Sequence, residues 1–328
     1  MIDNIRLCFK EKNLVENWFN ENLEKFPVYT KKSIVSEDSE FSTYPIIAHF
    51  ENMRLVINKK TCHLEGSLHK FYNSILSTQL SNKNLDDGYS NDNYCHLQDN
   101  NYNDFHYVEL IMIIEYLTEF FDGLDLNNAS ISELEFGFNV ITEKQPSEYK
   151  DLNFLLYEYK APIKNKSKKG EYFSRFEHSK FEYKVYSKKD QKMLKTNVMR
   201  IEIVLKSNHL KQLGIIKFTD LLVLENIESI LSYFLKRFEK FIIVDNRCEK
   251  ENLPKEILHE IGNYLEPSFW KARRKVSNTN RIKNRLNKLL VDYDMLTTKN
   301  YFINLIQNKC NQLLYGVEIK NELAMVDD

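Results

Sequence analysis

The chain has 328 residues, 42% hydrophobic and 28% charged, with a net charge of −1 and few Gly or Pro. That composition belongs to an ordinary globular chain long enough for two domains, and it excludes repeat, collagen-like and wholly disordered classes. No apolar run approaches the roughly 20 residues of a membrane span, the N-terminus has no signal-peptide layout, and the five cysteines are scattered without a CxxC pair, so reduced thiols in a cytoplasmic protein are expected.

Residues 2–9 alternate with period two and read as a strand, with Ile5, Leu7 and Phe9 on one face. Residues 13–25 have helical spacing through Leu14, Trp18 and Leu23. A loop to about residue 43 leads into strands over 44–50, 53–58 and 61–66, the first two forming a hairpin at Glu51-Asn52. The third carries His63-Leu64-Glu65, which puts His63 and Glu65 on one face and Leu64 opposite. A histidine and a carboxylate so placed can reach one divalent ion; an ordinary surface pair has the same spacing. Asn and Asp fill twelve of the 24 positions from 81 to 104, which predicts a surface loop. A lookalike within it, Cys95-His96-Leu97-Gln98, has no strand pattern around it.

Residues 105–121 form an apolar-rich helix, and Ile131–Val140 is the clearest strand. Its core face is Leu134, Phe136, Phe138 and Val140, and Glu133, Glu135, Gly137 and Asn139 lie opposite. A helix near 148–159 and a lysine-rich loop follow. In the strand 180–188, Phe181, Tyr183 and Val185 point one way, and Glu182, Lys184, Tyr186 and Lys188 the other. In the strand 199–205, Met199, Ile201, Ile203 and Leu205 face the core, away from Arg200 and Glu202. From about residue 216 the pattern is helical, over 218–240, 254–264, 267–274, 278–291 and 298–314, with a short strand at 241–244. The last two helices have helix-turn-helix proportions. The expected architecture is α+β, with an antiparallel sheet carrying helices on one face over 1–215 and a mostly helical region over 216–328.

The neutral net charge hides local patches. Residues 160–195 hold twelve Lys and Arg against four Asp and Glu, and residues 271–288 hold eight against none, beside Phe269 and Trp270. Arg273, Arg274, Arg281, Lys283 and Arg285 are therefore candidate contacts to a polyanion such as a DNA backbone, the alternative being a solvated helix face.

The polar faces of four strands supply His63, Glu65, Glu135, Lys184, Tyr186, Lys188, Arg200 and Glu202. Helices on one side only would gather these residues in an open cleft. The set suits phosphodiester chemistry, with tyrosine as nucleophile, carboxylates to hold a metal and cations to meet phosphate charge. A solvated sheet face carries the same residue types. No Gly-x-x-x-x-Gly-Lys-[Ser/Thr] loop is present, so no helicase motor is recognisable.

The order Gly66-Ser67-Leu68-x-Lys70, Ile131-Ser-x-Leu-Glu135-Phe-Gly, Val185-Tyr186-Ser-Lys188 and Arg200-Ile-Glu202-Ile resembles the rolling-circle replication initiators of filamentous phages and their relatives in bacterial genomes and plasmids, within the HUH endonuclease group. The resemblance runs from about residue 50 to 215. It implies an HUH-endonuclease-like fold in which Tyr186 matches the nicking tyrosine and Lys188 the basic residue two positions on. It also implies Mg²⁺ or Mn²⁺ on His63, Glu65 and Glu135, DNA contacts from Lys184 and Arg200, and support from Lys70 and from Glu202, the latter either a further ligand or, the favoured reading, the structural partner of Arg200. Glu135 stands where relatives usually carry an aspartate, and His63-Leu64-Glu65 where they usually carry two histidines. The implied reaction is transesterification: Tyr186 attacks a backbone phosphate of single-stranded or extruded origin DNA, keeps the 5′ phosphate and releases a 3′-hydroxyl primer, with helicase and polymerase supplied by the host. The rival is a non-catalytic DNA binder, an origin binder or transcriptional regulator, using the C-terminal helices; a third class is a protein-binding scaffold.

Overall fold

The period-two segments are strands in the structure, a computed structural model that describes the chain except 32–33, 36–40, 43–44, 88–99, 153, 163–172, 246–252, 274–277 and 317–328. The elements in chain order are β1 (Ile2–Cys8), α1 (Lys12–Glu21), β2 (Val28–Lys31), β3 (Ile34–Val35), β4 (Phe41–Ser42), β5 (Ile46–Phe50), β6 (Met53–Ile57), β7 (Cys62–Ser67), α2 (Leu68–Asp87), α3 (Tyr107–Phe120) and β8 (Ser130–Ile141). Then come α4 (Pro146–Leu152), β9 (Phe154–Tyr157), β10 (Phe173–Glu177), β11 (Phe181–Ser187), α5 (Lys188–Lys192), β12 (Val198–Lys206) and α6 (Ser207–Gln212). The chain closes with α7 (Leu224–Phe238), β13 (Phe241–Ile243), α8 (Lys255–Leu265), α9 (Pro267–Arg273), α10 (Thr279–Asp292) and α11 (Thr297–Tyr315). The fold class is α+β, with a nine-stranded sheet in the order β10-β11-β12-β8-β1-β7-β6-β5-β2 and a helical C-terminal region.

Two units divide the chain: Met1–Gly137 with Ile203–Ile230 and the end of α11, and Phe138–Glu202 with Leu231–Asn311. The division passes through β8 and β12, so each of these strands gives one end to each unit.

In the first unit the pairs β8–β1, β1–β7, β7–β6, β6–β5 and β5–β2 are antiparallel. One face of these strands is apolar, with Ile5, Leu7, Leu55, Leu64 and Leu134 buried. An aromatic cluster ties the helices to it: Phe50 of β5 stacks on Phe120 of α3 at 4.6 Å and meets Phe71 of α2 at 5.5 Å, and Trp18 of α1 lies 5.1 Å from Phe121. Aromatic contacts of this kind add to the burial of their area. Helix α2 runs to Asp87, into the stretch whose composition predicts a loop; the lookalike Cys95-His96-Leu97-Gln98 lies outside the described residues.

In the second unit β10 pairs antiparallel with β11, and β9 with β13. The segment expected as one helix over 148–159 is α4 followed by β9. Short apolar runs are ambiguous between helix and strand, and here the pairing Tyr157↔Phe241 and Leu156↔Ile242 settles it from more than 80 residues away. Helices α8, α9 and α10 pack on this strand pair through one core of Leu156, Ile242, Ile261, Trp270, Leu286 and Leu290. Among the described residues no helix is long and apolar enough to cross a membrane.

Candidate functional site

A bulge in β1 breaks the alternation of that strand. Across β1 and β8 the register runs Ile2↔Phe136 and then Ile5↔Leu134, so Asp3 and Asn4 together oppose the single residue Glu135. Two residues against one re-aims a side chain. Asp3, which strict alternation groups with Ile5 and Leu7, accepts instead from Ser67 Oγ and Asn101 Nδ2. Asn4 Nδ2 donates to Glu135 Oε1 at 3.3 Å. Ser67 also accepts from the Lys70 N–H at 3.1 Å, as a helix N-cap does at the start of α2. Gly66 packs too closely for any side chain, because a Cβ there would run into the Asn52 carbonyl.

Further along the same polar face, Glu65 is buried between two arginines. Arg6 Nε lies 2.5 Å from its Oε2 and Arg54 Nε 2.6 Å from its Oε1, with His63 Nε2 at 3.3 Å. Burial pushes the Glu65 carboxyl up, but hydrogen bonds and charge from Arg6 and Arg54 outweigh it and hold Glu65 below its ordinary range. Burial, opposed by Glu65, holds the His63 imidazole below its ordinary value. Arg6, Arg54 and Glu65, with Asn52 and Lys70, line an open cavity of about 510 Å³ that Glu135 also reaches.

The expected metal set of His63, Glu65 and Glu135 does not assemble. Strand β1 lies between β7 and β8, so Glu65 faces Arg6, and Arg6 in turn faces Glu133. Two inter-strand spacings of about 4.8 Å separate β7 from β8, and the intervening guanidinium spends itself on Glu65.

In the second unit, Tyr186 of β11 is buried and its hydroxyl donates to Glu202 Oε2 at 3.3 Å. Arg200 Nε meets the same oxygen at 2.7 Å, and Lys184 Nζ lies 3.2 Å from Glu202 Oε1. Arg200 also donates to Asn139 Oδ1 at 3.2 Å. Arg200 and Glu202, expected on an open face, are only 1% and 2% exposed, since β12 is buried along Val198–Leu205. Lys188 is not a strand residue. Ser187 ends β11 and caps α5, accepting from the Asp190 N–H at 3.1 Å, and Lys188 opens that helix, buried, with Nζ 5.4 Å from the centre of the Tyr186 ring. Tyr183 faces the other way, donating to the Phe234 carbonyl at 2.6 Å, and burial pushes its phenol well above the ordinary range.

Asp3, Glu135 and Glu202 each offer one carboxylate oxygen, these oxygens lie within 4.8 Å of one another, and all three residues are buried. This group could hold a metal ion; it keeps Glu135 of the expected ligands and includes Glu202, whose expected role is a further ligand or a partner of Arg200. Its donor set is chemically apt: three hard oxygen ligands suit Mg²⁺ or Mn²⁺, and buried carboxylates so close together favour a bound cation.

No family model and no curated protein matches the chain. Among solved structures it is similar to that of a rolling circle replication initiator protein from Geobacillus stearothermophilus, over 81% of this chain and 96% of that one, at 11% sequence identity and a TM-score of 0.37. So distant a likeness carries no argument about chemistry.

The basic stretch of the C-terminal region lies on α9 and α10. Arg281 is exposed, Lys283 Nζ lies 4.5 Å from the centre of the Tyr159 ring, and Arg273 sits 4.3 Å from that of Phe269. Arg285 is engaged by Glu260, with both nitrogen–oxygen distances 3.1 Å. Arg274 lies outside the described residues.

Proposed function

We propose that this protein is a single-strand DNA nicking and joining enzyme of the replication-initiator kind, working through a 5′-phosphotyrosine intermediate. The observation that carries the reading is the Tyr186 hydroxyl on Glu202 at 3.3 Å, within a group of cations formed by Lys184, Lys188 and Arg200. A phenol oriented by a carboxylate and surrounded by positive charge is equipped to attack a phosphate diester.

Tyr186 Oη gives up its proton to Glu202, to which it already donates, and bonds to the phosphorus of the DNA backbone as the P–O3′ bond breaks, leaving the 5′ phosphate on the tyrosine and a 3′-hydroxyl once the released oxygen takes a proton from water. Joining is the reverse. Glu202 fixes the direction of the phenol, and Lys188, beside the ring, stabilises negative charge as it develops on Oη. Lys184 and Arg200 hold Glu202, and Lys184, the more exposed of the two, is placed to meet the phosphate. Asp3, Glu135 and Glu202 would hold Mg²⁺ or Mn²⁺, which when bound supplies polarisation of a non-bridging phosphate oxygen. His63 and Glu65 belong instead to the arginine network with Arg6 and Arg54.

The partner is single-stranded or extruded origin DNA in the cytoplasm, with Arg273, Arg281, Lys283 and Arg285 on its backbone and the host supplying helicase and polymerase. The test is a covalent adduct with single-stranded origin DNA and Mn²⁺ that survives a denaturing gel. Absence of adduct from the wild type, together with undiminished DNA binding, would leave the non-catalytic binder in its place.

A further inference from the structure

Beside the basic helices, the second unit contains a cavity of about 280 Å³ whose lining includes Tyr157, Tyr159, Phe176, His178, Lys160 and Lys271. Tyr157 and Phe176 are buried, with ring centres 5.8 Å apart, and His178 stacks on Phe181 at 4.6 Å, which fixes the imidazole. Tyr159 is held by Trp270, at 4.3 Å between ring centres, and by Lys283, whose Nζ lies 4.5 Å from the ring centre. The aromatic lining is therefore rigid before any ligand arrives.

The charges at this cavity are unevenly compensated. Glu177 is paired with Arg175 at 2.7 Å, and Glu158 faces Arg237 at 3.7 Å. Lys160 and Lys271 are exposed and carry no ion pair among the described residues. Lys271 begins the run to residue 288 in which cations occur without a carboxylate. An aromatic recess rimmed by free ammonium groups selects a flat ring with an anion attached, and the adjoining run of cations favours a polyanion over a peptide.

We propose that this cavity takes one nucleobase, with the adjoining phosphate on Lys160 and Lys271. In single-stranded DNA it would anchor the strand on the second unit, outside the residues assigned to nicking. The proposal does not depend on Tyr186 chemistry.

The test uses the full-length protein without divalent metal, so that strand cleavage plays no part. Binding is measured by fluorescence anisotropy to an oligothymidine of about 16 nucleotides and to the same sugar-phosphate backbone lacking all bases. The wild type should bind the base-bearing strand about tenfold more tightly. Ala161→Phe, an exposed position lining the cavity, should fill the recess and abolish that preference while leaving binding of the abasic strand in place. Lys160→Ala with Lys271→Ala should weaken both strands. Displacement by thymidine monophosphate would assign the recess to nucleotides free or in a strand; retention of the preference without displacement would assign it to the strand alone. Equal wild-type affinity for the two strands, or an Ala161→Phe protein that keeps the preference, overturns the proposal, as does tight binding of an acidic tyrosine-containing peptide with no DNA preference. Loss of adduct formation at Tyr186 has no bearing on these outcomes, so the two readings fail separately.

Discussion

Tyr186 donates to the Glu202 carboxylate at 3.3 Å, whereas Tyr183, three residues earlier on β11, donates to the Phe234 carbonyl at 2.6 Å. The two phenols leave opposite faces of one strand, as a period of two requires for positions an odd number apart. Only Tyr186 stands among cations.

Substitution should separate the two. Tyr186→Phe removes the nucleophilic oxygen and one hydrogen bond, so the protein should fold, bind single-stranded DNA and form no covalent adduct. Tyr183→Phe should still form the adduct, at a cost of about 1–2 kcal/mol in stability, because the Phe234 carbonyl is left buried without that donor. The measurements are adduct yield on denaturing gels and urea unfolding. Equal nicking by Tyr186→Phe and wild type would remove the tyrosine from the mechanism.

The Glu65 network predicts a pH dependence. Arg6 and Arg54 hold the Glu65 carboxyl below its ordinary value of 4.5. A depressed carboxyl adds stability that is present above the unfolded value and lost as pH falls through the folded one. Glu65→Gln should therefore cost about 1–2 kcal/mol at pH 7, a modest figure because the arginine side chains are 44% and 51% exposed and screened by water. The difference from wild type should shrink as pH drops below 4.5. A difference that stays constant down to acid pH would mean that the ion pairs contribute nothing.

The basic helices make a prediction about salt. Arg281 is exposed and carries no ion pair among the described residues, whereas Arg285 is held by Glu260. If both lie near the DNA backbone, Arg281→Ala should flatten the salt dependence of binding by about one unit, as expected for one lost phosphate contact, and Arg285→Ala by less. Binding measured across a series of salt concentrations decides this. An unchanged slope in both would make the patch a solvated helix face.

The strands of the sheet were legible because their buried faces are nearly pure hydrocarbon, as in β8, where Leu134, Phe136, Phe138 and Val140 alternate with polar residues. Helix α2 was not, because its buried face carries Asn73, Ser74 and Ser77. These are satisfied by partners remote in sequence, Asn73 donating to the Asn100 carbonyl and Ser74 accepting from Asn52, each at 2.7 Å, so no apolar stripe marks the helix. The exposed edge strand β2 gave no alternation for the same kind of reason: it has no buried face. At the site, the facing of Tyr186, Lys184 and Glu202 followed from period two alone. Lys188 departs from the pattern because Ser187 ends the strand with a helix cap, and period two does not mark Asp3 as a site residue because it groups Asp3 with Ile5 and Leu7, whereas a bulge there sets Asp3 and Asn4 together against Glu135.

That bulge leads to the prediction about metal. The sequence resemblance puts the ion on His63, Glu65 and Glu135, whereas the structure brings together Asp3, Glu135 and Glu202. The two sets share Glu135, so Glu135→Ala weakens Mn²⁺ binding under either and cannot choose between them. Asp3→Asn and His63→Ala can. Asp3→Asn keeps the size and an acceptor oxygen for Ser67 and Asn101, but it replaces an anionic ligand by an amide, and calorimetric titration should show Mn²⁺ affinity reduced at least about tenfold. His63→Ala should leave that affinity unchanged, because the imidazole meets Glu65, whose oxygens are already taken by Arg6 and Arg54. The opposite result, strong loss in His63→Ala and none in Asp3→Asn, would return the ion to β7 and require Arg6 to leave Glu65 when metal binds.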